Sequence, residues 1–327
     1  MALDQAIRLN RSGYPDFGEV HFVVDSDYRT AAQGWSRADR TGPLDLYEAR
    51  KAGSGGAQYV YRTGDYTRDQ LALQAAIDAT VDFRNDMVYL TPGSYSIGTT
   101  ALALNSSDMR LAGPPVHSPR RGLVTITDAI GSGLTVSVDG VELANFTAVP
   151  LTATAFASIS NGADYGYIHN VYYNANGVDA STSTEFVNAA DTTAGWLVED
   201  SYFVVDALQG DCFTWADARY WEVRNSTFLT LVASYATVFT LSAACVGNIV
   251  RNCYFTADAD GTFTNIFTGA ANEDGQLLVA YNMVNGTALA TATAIETGFG
   301  TTTDIELVEN YQTQDATTQG GTLIVLA

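Results

Sequence analysis

Lysine is almost absent from this chain: Lys51 stands alone among 327 residues. Cations total 16 against 36 acids, a formal net charge of −20. A surface of that sign repels phosphates and the anionic face of a membrane, so neither nucleic acid nor a lipid surface is expected as a partner. Cysteine is nearly as scarce. Cys212, Cys245 and Cys253 are odd in number, show no CxxC spacing and have no histidine nearby, so neither a disulfide framework nor a zinc site is indicated. They read as buried free thiols, and no spacing in the chain calls for a metal or a cofactor.

Apolar runs long enough to cross a membrane are missing too. The uncharged stretch from Asn225 to Val250 comes nearest, but Thr, Ser and Asn interrupt it, and Tyr235 to Leu241 alternates as a strand does. The opening, MALDQAIRLNRSGYP, has an acid at position 4 and no apolar run of signal-peptide length. Export is therefore not expected, and assembly in a cytoplasm is. Long helical patterns are also lacking. What the chain does have is 29 Gly, 11% aromatic residues and much Thr, Asn and Ser, the composition of short extended segments joined by turns.

Charge is divided unevenly. Residues 1 to 121 carry 12 of the 15 arginines and Lys51 against 14 acids, a net of −1; residues 122 to 327 carry 3 arginines against 22 acids, a net of −19. Residues 1 to about 62 read as a separate segment, punctuated at Gly13-Tyr14-Pro15 and Gly42-Pro43, with one strand at Glu19 to Asp25. It interleaves Tyr14, Phe17, Trp35 and Tyr47 with Arg8, Arg11, Arg29, Arg37, Arg40 and Arg50. Tyr, Trp and Arg dominate interface energetics, so these ten residues are the candidate docking surface of an N-terminal arm.

Thr67-Arg-Asp-Gln70 then forms a capping box, and the apolar spacing from Leu71 to Val81 predicts a helix to about Phe83. Beyond it the chain repeats. A unit made of an aliphatic residue, any residue and usually Asn or Asp recurs at Leu143, Ile168, Val198, Val223, Val250, Val279 and Val308, at spacings of 25, 30, 25, 27, 29 and 29. A second apolar centre follows at Phe213, Phe239, Ile266, Ile295 and Ile324, which predicts two strands per period. A period of this size with fixed internal phases, and no helical pattern between strands, marks an all-β solenoid, a parallel β-helix. About eight coils stacked at roughly 4.8 Å would make a rod roughly 40 Å long.

Stacking gives the repeated polar positions a meaning. Asn145, Asn170, Asp200, Asn225, Asn252 and Asn310 read as a structural ladder at strand ends, bonding the turn backbone and the next coil. The preceding residues, His169, Glu199, Arg224, Arg251, Ala280 and Glu309, read as an outward column in which Glu199 and Arg224 are vertical neighbours. An exposed pair of that kind contributes little stability.

The stretch Gly64 to Asp78, with Val88-Tyr-Leu-Thr-Pro-Gly-Ser-Tyr95 and Met109-Arg-Leu-Ala-Gly113, resembles the opening of pectate-lyase-superfamily right-handed β-helices, which include polygalacturonases and phage tailspikes. The resemblance covers about residues 60 to 327 and implies that the helix caps the solenoid's N-terminal end. The polygalacturonase residues are missing: there is no Asp-Asp, no Gly-His-Gly and no lysine beyond Lys51. The weak catalytic candidates that remain are Glu185, Asp211 and Asp217, acids on neighbouring coils that could approach each other as in retaining hydrolysis.

Two functions fit. One is a structural phage virion protein, a capsid decoration in which residues 1–62 dock on a capsid or tail protein and the acidic β-helix faces solvent; the resemblance implies a homotrimer. The other is a tailspike depolymerase, a hydrolase or lyase that binds host surface glycan.

Overall fold

The computed structural model describes residues 18–25, 58–62, 69–115, 122–130, 133–151, 155–160, 162–175, 185–205, 211–231, 235–258, 262–270, 275, 277–285, 296–297, 305–313 and 321–324. They form a parallel β-solenoid with three sheets of 11, 10 and 8 strands, and each coil gives one strand to each sheet in turn. The period therefore holds three strands rather than two. The extra one follows the Asn or Asp turn after two residues, as Tyr202–Val205 follows Asp200, too closely to read as a separate element.

The expected alignment holds through most of the rod. In the first sheet Ile168 pairs with Val198, Val198 with Val223, Val223 with Val250 and Val250 with Val279. The last unit is displaced by one residue, because Val279 pairs with Leu307, not Val308. In the third sheet Phe213 pairs with Phe239 and Phe239 with Phe267, not Ile266. Both Ile266 and Phe267 are buried, so two successive side chains point inward there and the strand bends. Ile295 lies outside the described residues. Ile324 belongs to Gly321–Ile324, which runs antiparallel to Asn310–Thr313 and closes no coil.

The interior is apolar and stacked in files. Phe203, Phe228 and Phe255 lie with ring centroids 4.8 and 5.0 Å apart and nearly parallel, and Phe213, Phe239 and Phe267 repeat the arrangement at 5.1 and 5.3 Å. A stacked pair adds roughly 0.5–1.5 kcal/mol beyond its buried area. The three cysteines are free and buried, as composition suggested. Burial pushes the Cys253 thiol up to about 12.

At the N-terminal end α1, Asp69–Asp78, lies against the first coil. It stops short of Phe83: the Thr80 hydroxyl donates to the Ile77 carbonyl, and Phe83 and Asn85 take φ of 59° and 56°. Residues 67 and 68 lie outside the described residues. The strand expected at Glu19 to Asp25 exists as β1, Val20–Val24, but it is part of the solenoid. It pairs with Gln58–Arg62 on one side and Met87–Leu90 on the other, extending the first sheet. Residues 18–25 and 58–62 thus continue the rod.

The second sheet shows the pattern of its outer face clearly. Thr125, Thr147, Tyr172, Tyr202 and Thr227 align in one outward column, continued by Tyr254, Met283 and Tyr311.

Candidate functional site

The turn between the first and second sheets explains the polar repeat. Asn145, Asn170, Asp200, Asn225 and Asn252 adopt φ between 51° and 60°, the left-handed region that Asn and Asp tolerate best among residues with a side chain. The coil-to-coil bonds belong mainly to the next position. The Ser226 hydroxyl accepts from the Ser201 N–H, and Asn282 accepts from the Cys253 N–H at 2.8 Å. Asn310 corrects the predicted ladder: it aligns with Asn282, accepts its amide and N–H at 3.0 Å, and donates to the Val279 carbonyl. The left-handed positions above it fall on Tyr281 and Glu309.

On the outer face of the first sheet the charges form one connected chain. Arg110 lies 3.5 Å from Glu142, and His169 Nε2 lies 3.0 Å from the same carboxylate. The His169 ring stacks on Tyr167, whose hydroxyl donates to Glu199. Glu199 holds Arg224 at 2.6 Å, and Glu222 holds Arg251 at 2.7 Å. Arg224 and Glu199 side chains are only 9% and 13% exposed, so this is no solvated surface pair. Val308, not Glu309, continues the column beside Ala280.

The three candidate carboxylates do not converge. Glu185 and Asp211 stand two residues before Val187 and Phe213, which pair, so they occupy equivalent positions on adjacent coils. Such positions lie roughly 4.8 Å apart. Because the strand bends inward at Phe186 and Val187, Glu185 meets Asn188 on the outside, whose amide donates to it at 3.0 Å. Burial raises the Glu185 carboxyl above its ordinary value, and the charge of Asp211 adds to the shift. Burial raises Asp211 as well. Thr214 lies near both and partly opposes these shifts, although its buried hydroxyl makes no aligned hydrogen bond.

Asp217 stands apart. It is six positions further along the same strand as Asp211, roughly 20 Å when extended. There it accepts from Thr192 at 2.7 Å and from Arg219 at 2.9 Å. Desolvation works against its charge, but the Arg219 and Thr192 bonds outweigh it and hold the carboxyl below its ordinary value. A register shift between Ala189 and Thr192 sets Asp217 beside Thr192, where Arg219 can reach it.

Arg8, Arg11, Tyr14, Phe17, Arg29, Trp35, Arg37, Arg40, Tyr47 and Arg50 all lie outside the described residues. Among the described residues no cluster of three or more His, Cys, Asp and Glu is placed to hold a metal ion. Among them, too, no helix is long and apolar enough to cross a membrane. The uncharged stretch 225–250 supplies strands of all three sheets.

No family model matches the chain, and no curated protein does. Solved structures resemble it in architecture. An alginate lyase from Paenibacillus sp. str. FPU-7 is 13% identical, with 74% of this chain and 84% of that one covered and a TM-score of 0.49. A pectin methylesterase from Aspergillus niger is 12% identical over 80% and 88%, with a TM-score of 0.48. PfbA, a surface adhesin of Streptococcus pneumoniae, is 11% identical over 76% and 84%, with a TM-score of 0.36.

Proposed function

We propose that this chain is a structural surface protein of a phage particle: a homotrimeric rod held to a capsid or tail protein by the parts of residues 1–62 that do not belong to the rod, with its acidic coils in solvent. The observation that supports it is how the coils use their charge. All three arginines of residues 122–327 are held by carboxylates of the same chain, Arg219 by Asp217, Arg224 by Glu199 and Arg251 by Glu222. The surplus acids of this region then set the sign of its surface, which suits a body that projects into solvent and stays soluble. The test is the particle itself. Purified virions should contain the chain, with the parts of residues 1–62 outside the rod protected from protease and the coils accessible; a chain absent from purified particles overturns the reading.

A second reading has one specific observation in its favour. Glu185 and Asp211 occupy equivalent positions on adjacent coils, whose backbones lie roughly 4.8 Å apart, and both carboxyls are raised, the two-carboxylate arrangement that retaining hydrolysis uses. One would protonate the leaving oxygen and the other attack the sugar carbon. With every arginine of these coils already paired, an uncharged glycan is the better fit for such a site. Release of reducing ends from host capsule or lipopolysaccharide, lost in both Glu185→Gln and Asp211→Asn, would establish this reading; no release by the wild type would dismiss it.

A further inference from the structure

The second sheet differs from its neighbours in charge. Its ten strands contain one charged residue, Asp128, and that side chain is buried. The first sheet carries the Arg110 to Arg251 chain on its outside, and the third carries Glu185 and Asp211. In a protein of net charge −20, a whole strand face without an exposed acid is a departure from the rest of the surface.

The same face is apolar toward the C-terminal end. Tyr254, Met283 and Tyr311 align on three successive coils and are 37%, 48% and 46% exposed, and Tyr281, two residues before Met283, is also exposed. Taking roughly 200 Å² for a whole large side chain, these four present roughly 350 Å². That is close to half of the ~800 Å² each partner contributes to a standard interface. Thr256 and Asn285 border it with uncharged groups, and Glu309, at the turn position that Tyr281 takes one coil earlier, is an exposed acid at its rim. Interface cores are depleted of charge and enriched in Tyr and Met, as this strip is. A strip of this size falls in the range of the largest apolar patch on an ordinary monomer, which is often functional, and its freedom from charge sets it apart from the rest of this surface.

We propose that this face is where copies of the chain meet, rod beside rod with their axes parallel; the inference gives a surface to the homotrimer of the reading above and rests on it. Electrostatics selects the occupant. Two copies at −20 repel at any contact that brings their acids together: the third sheet would bury Glu185 and Asp211 against their own copies, and the first would have to desolvate the whole Arg110 to Arg251 chain of ion pairs. The second sheet lets copies touch without burying an unpaired ion. With rods parallel, each coil meets the same coil of its neighbour, so Met283 lies close to Met283.

The experiment is sedimentation velocity of the full chain, protomer mass 34.9 kDa, with two variants. The wild type should sediment as a trimer and Met283→Asp as a monomer with an unchanged circular dichroism spectrum. Met283→Cys keeps the proposal testable should the aspartate variant misfold: mild oxidation should convert it to a disulfide-linked pair, whereas Thr135→Cys, on the outside of the third sheet, should stay single. The native thiols are buried and do not compete. A monomeric wild type overturns the proposal, and so does a trimer that gives no cross-link at Met283. A monomer would also remove the trimer from the virion reading, but neither result touches the placement of the chain on the particle if it is still found there. A monomer whose binding to a neutral glycan is lost in Met283→Asp would instead assign the face to sugar and overturn self-association.

Discussion

Arg224 lies directly above Glu199, its guanidinium 2.6 Å from the carboxylate, although 25 residues of chain separate them. Their alignment is the solenoid's stacking made visible in one contact, because Val198 and Val223 beside them pair in the core. Both side chains are nearly buried. Removing one partner of a buried pair leaves an uncompensated charge, so Arg224→Ala should cost roughly 3 kcal/mol, read as a lower urea midpoint. Arg224→Met combined with Glu199→Leu should recover most of that. A single variant as stable as the wild type would show that the pair contributes nothing.

The left-handed turn should sort substitutions by backbone alone. Asn225 holds φ of 51°. Asn225→Gly should therefore unfold within about 0.5 kcal/mol of the wild type, whereas Asn225→Val should cost about 1–2 kcal/mol, since a β-branched residue resists that conformation. Equal losses in both would mean the side chain, not the backbone, carries the position.

At the neighbouring inward position the reverse holds. Asn282 donates to the Val250 carbonyl and accepts from the Cys253 N–H. Asn282→Ala orphans both, and a buried unsatisfied group costs about 1–3 kcal/mol. The variant should melt well below the wild type; one that melts with it would show that water fills the gap.

Much of the rod was legible because stacking writes itself into spacing. Val198, Val223 and Val250 recur at the coil length and pair as expected. Asn310 and Val308 misled because the last coil is one residue shorter than its apolar pattern implies, and only pairing fixes register there. A second left-handed corner escaped notice altogether. It passes through Asp108, Gly140, Tyr165, Gly195, Tyr220 and Gly247, and a mixture of Gly with Tyr offers no single letter to follow. Its signal was in the glycines: a Cβ on Gly247 would sit 2.8 Å from the Tyr220 ring of the coil below. The pairing of Glu185 with Asp211 was legible from period, and so was the six-residue separation of Asp217 along the same strand; its alignment with Thr192 was not, since the register shift after Ala189 has no mark in the sequence.

Asp86 should prove to be the clasp of β1. Its buried carboxylate accepts from the Glu19 N–H at 2.7 Å and the Val81 N–H at 2.8 Å, and it binds Arg84. Burial opposes its charge, but the Arg84 bond and the two N–H groups outweigh that and lower the carboxyl below its ordinary value. Asp86→Ala should speed hydrogen exchange at Val20–Val24 at least tenfold while leaving the strands around Val198 protected, because a solenoid couples only neighbouring coils. Exchange rising equally along the whole rod would contradict this.

Glu185 and Asp211 should give the protein a pH response opposite in sign to that of its ion pairs. Burial raises both carboxyls above their ordinary values of 4.5 and 3.8, so the folded chain keeps protons that the unfolded chain releases. Stability from such a group is complete below its ordinary value and is lost as pH rises through the raised one. At neutral pH the pair is therefore a burden, and Glu185→Gln with Asp211→Asn should melt above the wild type, the gap closing as pH falls below the ordinary values. Asp217, lowered by Arg219 and Thr192 against its desolvation, works the other way: its contribution is present above its ordinary value and lost as pH falls, so Asp217→Asn should melt below the wild type at neutral pH and converge with it in acid. Melting curves across that range separate the two signs. A gap for the double variant that does not change with pH would mean that Glu185 and Asp211 are solvated and independent, and would remove the geometric support for acid–base chemistry at that site.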